Sequence, residues 1–127
     1  MNFDDATKLD DDKFLLLTIR CLDETYLTDE RILRELLIDL AGAIGMNPIN
    51  APSVCRAINN PGLEAYLPVD ASNITVSTYT SSPRIVACIH SCKPFELSAV
   101  INVLRKVSDE SGIRYHFCRE SDFEVIS

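Results

Sequence analysis

No stretch of this sequence approaches twenty consecutive apolar residues, which excludes a membrane-spanning helix. The opening residues Met1-Asn2-Phe3-Asp4-Asp5 are acidic and show neither a basic start nor an apolar core, so no secretory signal is expected. Positive charge is scarce. Twelve Lys and Arg face nineteen Asp and Glu, a formal net charge of −7, which argues against a bulk electrostatic grip on nucleic acid. The dinucleotide glycine fingerprint, the phosphate-binding P-loop, H-E-x-x-H, G-x-S-x-G and paired C-x-x-C motifs are all missing. Each absence removes an enzyme class. Histidine is limited to His90 and His116, which leaves few candidates for a Ser-His-Asp arrangement.

The composition favours a folded chain. At 127 residues it has the size of one domain, and 46% hydrophobic content supplies a core. The acidic stretch 1–12 reads as a solvated, flexible tail. Cys21, Cys55, Cys88, Cys92 and Cys118 are odd in number and irregular in spacing, so they read as reduced thiols in a cytoplasm.

Lys13 to Cys21 reads as a strand, followed by a polar connection from Leu22 to Leu27. Thr28 or Asp29 can cap the next helix. There Ile32, Leu33, Leu36, Leu37, Leu40 and Ile44 form one apolar stripe, and Gly45 follows as a stop. Asp29, Glu30, Glu35 and Asp39 form its wet face. The turn-rich stretch 46–61 has room for a short strand or turn of helix around Cys55. Strands follow at 63–69, 73–79 and 84–91, the last two forming a hairpin through Ser81-Ser82-Pro83. Pro68 marks the first of them as an edge or an irregular end. A second helix is expected from Pro94, with a stripe of Leu97, Val100, Ile101, Leu104 and Val107. A last strand covers 113–118, and 123–126 could add a short extended tail. The order β-α-β-β-β-α-β predicts an α+β, two-layer sandwich: a mainly antiparallel sheet with two helices on one face.

Period-two spacing places Cys88, His90 and Cys92 on one strand face. Their separation and the lack of a second ligand pair argue against zinc, and no metal site is expected.

The stretch from Ala71 to Tyr79, with Ile85 to Cys92 after it, resembles the core of the prokaryotic S-adenosylmethionine decarboxylases. In that family a serine opens a strand, a histidine follows five residues later, and a cysteine comes twenty residues after the serine. Ser72 and Cys92 match the serine and cysteine. Phe14 to Cys21 looks like the family's first strand, and both helices fall in order. The resemblance implies that the chain breaks before Ser72, that Ser72 becomes a pyruvoyl group acting as an electron sink, and that Cys92 donates a proton. It also implies Ser77 at the processing position, with Glu64, Tyr79 and His90 as substrate-binding candidates. A role in polyamine biosynthesis and a homodimer paired through its sheets follow from the same likeness. The ligand implied is S-adenosylmethionine or a similar cationic, amino-acid-like molecule.

Other family positions differ. Ala71 replaces the acid before the serine, Asn73 and Ser77 replace histidines, and Tyr79-Thr80-Ser81 replaces Trp-Pro-Glu. With the ribose-binding carboxylate absent, arginine or ornithine becomes a conceivable substrate. A non-catalytic paralogue that binds a ligand or partner subunit is the competing reading, and likeness of fold alone is a third. The missing imidazole predicts slow or absent cleavage at Ala71–Ser72.

Overall fold

The computed structural model describes residues 13–21, 23–58, 61–70 and 72–119. The strands are β1 Lys13–Arg20, β2 Ser53–Arg56, β3 Leu63–Val69, β4 Ser72–Tyr79, β5 Arg84–Ser91 and β6 Ile113–Arg119. The helices are α1 Thr25–Thr28, α2 Glu30–Ala43 and α3 Leu97–Leu104, with one 3-10 turn at Glu110–Gly112. The strands form one six-stranded sheet in the order β2-β3-β4-β5-β1-β6, and every pairing is antiparallel. This is the expected α+β sandwich, with the strand near Cys55 and the one-turn α1 added.

Alternation decides which face is buried. Leu15, Leu17 and Ile19 on β1, Leu63, Leu67 and Val69 on β3, Ile74 and Val76 on β4, and Ile85 and Ile89 on β5 are nearly inaccessible. They meet Leu33, Leu36, Leu37 and Leu40 of α2 and Leu97, Val100 and Leu104 of α3. Both helical stripes therefore cover the same side of the sheet. Fully burying each such side chain is worth about 1.5–3 kcal/mol.

Asp29 caps α2 by accepting from the backbone N–H of Arg31 at 2.9 Å and of Ile32 at 3.2 Å. Gly45 ends the helix with φ of +70°, a left-handed conformation that favours glycine. The acidic residues of α2 are structural. Glu30 pairs with Arg34, Glu35 with Arg31, and Asp39 with Lys106.

Two expectations need correction. Pro68 lies within an interior strand, but beyond the reach of β2, whose first residue Ser53 pairs with Tyr66. The Pro68 carbonyl accepts from Ile49 N, so its backbone polar side points away from β4 and the missing N–H removes nothing from that ladder. Secondly, α3 begins at Leu97 rather than at Pro94. Residues 94–96 run as a lead-in outside the helix, and Phe95 is buried with its ring 5.9 Å from that of Phe117. Core packing of Phe95 thus takes precedence over the helix-start preference of Pro94. Residues 1–12 and 123–126, for which a tail and a strand were expected, lie outside the described residues.

Candidate functional site

The face of the sheet away from the helices is built from the other half of each alternating strand. Cross-strand register sets its rows. One row runs Pro68, Asn73, His90, Phe14, Cys118; the next runs Tyr66, Thr75, Cys88, Leu16, His116. A third runs Cys55, Glu64, Ser77, Val86, Thr18, Arg114.

Glu64 and Ser77, candidates on different strands, meet directly. The Ser77 hydroxyl donates to Glu64 Oε2 at 2.5 Å. A recess of about 340 Å³ opens beside Glu64, lined by Ser53, Val54, Cys55, Tyr66 and Thr75 among others. Its size fits a small molecule. His90 stacks on Phe14, with ring centroids 4.6 Å apart and planes 19° from parallel. The Tyr79 ring is covered by the Arg84 guanidinium at 4.1 Å from its centroid, a cation–π contact.

Ser72 opens β4, directly opposite Ser91 and Val69. Ser91 is fully buried, and its hydroxyl donates to the Lys93 carbonyl at 2.7 Å while accepting from Lys93 N at 3.0 Å. This local turn leaves Cys92 exposed at its tip. Adjacent strands lie about 5 Å apart, so register brings Ser72 and Cys92 within about 10 Å along the backbone.

The remaining geometry departs from expectation. Ser72 has the core-facing parity of Ile74, Val76 and Thr78, whereas Ser77 and Tyr79 have the opposite parity. Five and seven residues separate them from Ser72, about 17 and 23 Å of strand. Ser77 and Tyr79 are thus not beside Ser72. Nor does Cys92 sit at a helix N-terminus, because residues 93–96 intervene before α3. Cys92 also lies past the end of β5, so it does not continue the face of Cys88 and His90. Among the described residues no three His, Cys, Asp or Glu side chains are grouped as a metal requires.

Two residues at the Ser72 end were not anticipated. Ser91 and the fully buried Lys13 stand opposite each other and complete the row from Val69 through Ser72. The signal was available in the parity: Lys13 lies two residues before Leu15, and Ser91 two after Ile89. Elsewhere, burial raises the thiol pKa of Cys88. Burial also dominates at Cys21 and raises it despite its hydrogen bond to the Asp23 carbonyl.

The structure defines a two-layer α+β protein in which, among the described residues, one sheet face carries no helix, with Ser72 and Cys92 both at the β4–β5 end. The family profile described as S-adenosylmethionine decarboxylase matches residues 14–120, and the chain belongs to that family. A comparison with curated proteins gives no match.

Proposed function

We propose that this chain binds S-adenosylmethionine or a related cationic, amino-acid-like ligand beside Glu64, and that its Ala71–Ser72 bond is cleaved slowly or not at all. The observation that carries this reading is the Ser77–Glu64 hydrogen bond. The family has an imidazole at the Ser77 position; here a hydroxyl stands there and is engaged by a carboxylic side chain. Family members depend in general on a pyruvoyl group made from the serine. The sequence does not fit that processing chemistry, because Asn73 and Ser77 stand at positions where the family has histidines. An acid–base group at a proton transfer contributes about 10²–10⁴ in rate, which is the scale of the expected loss.

The ligand-binding half of the reading rests on the recess beside Glu64 and on the acidic balance of the chain. We place the protein in the cytoplasm, in polyamine biosynthesis, as a homodimer formed through the helix-free face. Phe14, Leu16 and Tyr66 are 37%, 46% and 44% exposed on that face, and a second copy would cover them.

A second reading, an active pyruvoyl-dependent decarboxylase acting on S-adenosylmethionine, arginine or ornithine, is favoured by the register of Ser72, Ser91 and Cys92. Intact-mass spectrometry distinguishes the two. One mass near 14.2 kDa, with saturable S-adenosylmethionine binding that Glu64→Gln weakens, supports the first reading. Two fragments divided before Ser72, the second blocked to Edman degradation, overturn it.

A further inference from the structure

At the end of the sheet remote from Ser72, three arginines from three strands converge. Arg84 on β5 stands directly opposite Arg20 on β1. Arg114 on β6 stands opposite Thr18, two residues before Arg20, so Arg114 and Arg20 are diagonal neighbours about 7–8 Å apart. All three have the parity of the helix-free face. They line a cavity of about 210 Å³ together with the hydroxyl residues Thr18, Ser82 and Ser111.

The floor of this cavity is shaped by Gly112. A Cβ built there would lie 3.4 Å from Arg20 Cβ and would collide with the Ser108 hydroxyl. The bare glycine lets the 3-10 turn close onto β1. Arg84 is held in place from two sides, by donating to the Ser82 carbonyl at 3.3 Å and by lying over the Tyr79 ring.

The charge pattern is unusual for a chain of net charge −7. Arg31, Arg34, Lys93, Arg105 and Lys106 each pair with a carboxylate. Among the described residues Arg20, Arg84 and Arg114 form no ion pair. The charge of Arg20 helps lower the pKa of Asp109, but that carboxylate is engaged chiefly by Ser111 Oγ and Gly112 N. Like charges directly opposite on adjacent strands are destabilising. An anion bound among them would relieve that repulsion.

We propose that Arg20, Arg84 and Arg114 form a binding site for a small phosphate-bearing molecule. Guanidinium forks match phosphate oxygens in pairs, and the Thr18 and Ser82 hydroxyl groups supply further donors, the Ser111 proton being held by Asp109. The volume suits a phosphoryl or diphosphoryl group with a small body and falls short of the usual range for larger ligands. Arg84 lies seven residues along β5 from Ser91, about 23 Å from the Ser72 end. The site is therefore separate from that end, and a sulfonium ligand would be repelled from it. The proposal does not rest on the reading of Ser72.

The test is calorimetric titration of the full chain with inorganic pyrophosphate at low ionic strength, with citrate in a parallel arm. Saturable one-to-one binding in the sub-millimolar range is expected, weakening as salt is added. Arg20→Gln and Arg114→Gln should each weaken it about tenfold or more. Both side chains are exposed, and an unchanged urea midpoint will show that the variants fold. Arg31→Gln, which removes an equal charge on α2, should leave binding unchanged. No saturable binding up to about 10 mM, equal binding by the Arg20 and Arg114 variants, or an equal loss with Arg31→Gln would overturn the site. Citrate binding as tightly as pyrophosphate would overturn the assignment to phosphate.

Discussion

Among the described residues Thr78 is the one buried threonine whose hydroxyl joins three elements. Its Oγ1 donates to the Leu27 carbonyl of α1 at 2.7 Å and accepts from the Leu63 N–H of β3 at 2.7 Å. Thr78→Val keeps the shape of the side chain and removes both bonds. Neither stranded backbone group has ready access to water, since Leu27 and Leu63 are fully buried. Leaving each unsatisfied costs about 1–3 kcal/mol, so the expected loss is about 2–5 kcal/mol after partial relaxation. With a urea m-value of about 1–3 kcal/mol/M, a loss of about 3 kcal/mol moves the midpoint by about 1–3 M. Thr78→Ser keeps the hydroxyl and should lose only about 1 kcal/mol, the cost of one methyl group. The assay is urea unfolding followed by far-UV circular dichroism for all three proteins. A loss below about 0.5 kcal/mol for Thr78→Val, or equal losses for the two variants, would refute the role of the hydroxyl.

Alkylation and acid stability supply two more checks. Iodoacetamide under native conditions should modify the exposed Cys55 and Cys92 well before Cys21 and Cys88, whose thiols are held protonated by burial; peptide mass spectrometry reads the order, and early labelling of Cys88 would contradict it. The Asp109 carboxyl is held below its ordinary 3.8 chiefly by Ser111 and Gly112, so its contribution is present above that value and fades as pH falls through the lower folded value. The stability gap between the native chain and Asp109→Asn should therefore be larger at pH 6 than at about pH 3, measured by urea midpoints; a constant gap would count against it.

Alternation and helical spacing made the layers readable in advance. The stripe from Leu33 to Leu40 and the Ile74–Val76 and Ile85–Ile89 faces needed no knowledge of their partners, because burial follows directly from period. What escaped was set by contacts between distant segments. Strand order was not legible, since nothing local in β1 states that β5 and β6 flank it. Phe95 finds its place against Phe117, and that contact moves the start of α3. The Ser72 site was half legible: the family resemblance linked Ser72 with Cys92, while period-two alternation along β4 puts Ser72 and Ser77 on opposite faces. The Ser77–Glu64 contact depends on β3–β4 register, which sequence spacing alone does not fix. The arginine cavity was invisible for the same reason, because its three cations come from segments far apart in the chain.

The strand order has a consequence for what a break between residues 70 and 72 would do. Segments before the break supply β1, β2 and β3; those after it supply β4, β5 and β6. In the order β2-β3-β4-β5-β1-β6, three of the five seams join one segment to the other: β3–β4, β5–β1 and β1–β6. The first strand is clasped on both sides by strands from the far half, with Lys13 opposite Ser91 on one flank and Arg119 on the other. A nicked molecule would remain one particle, its halves laced together like the fingers of two hands. In this architecture the peptide link at the β3–β4 corner is a covalent convenience that cohesion does not require, leaving that corner open to chemistry that severs the chain without dismantling the protein.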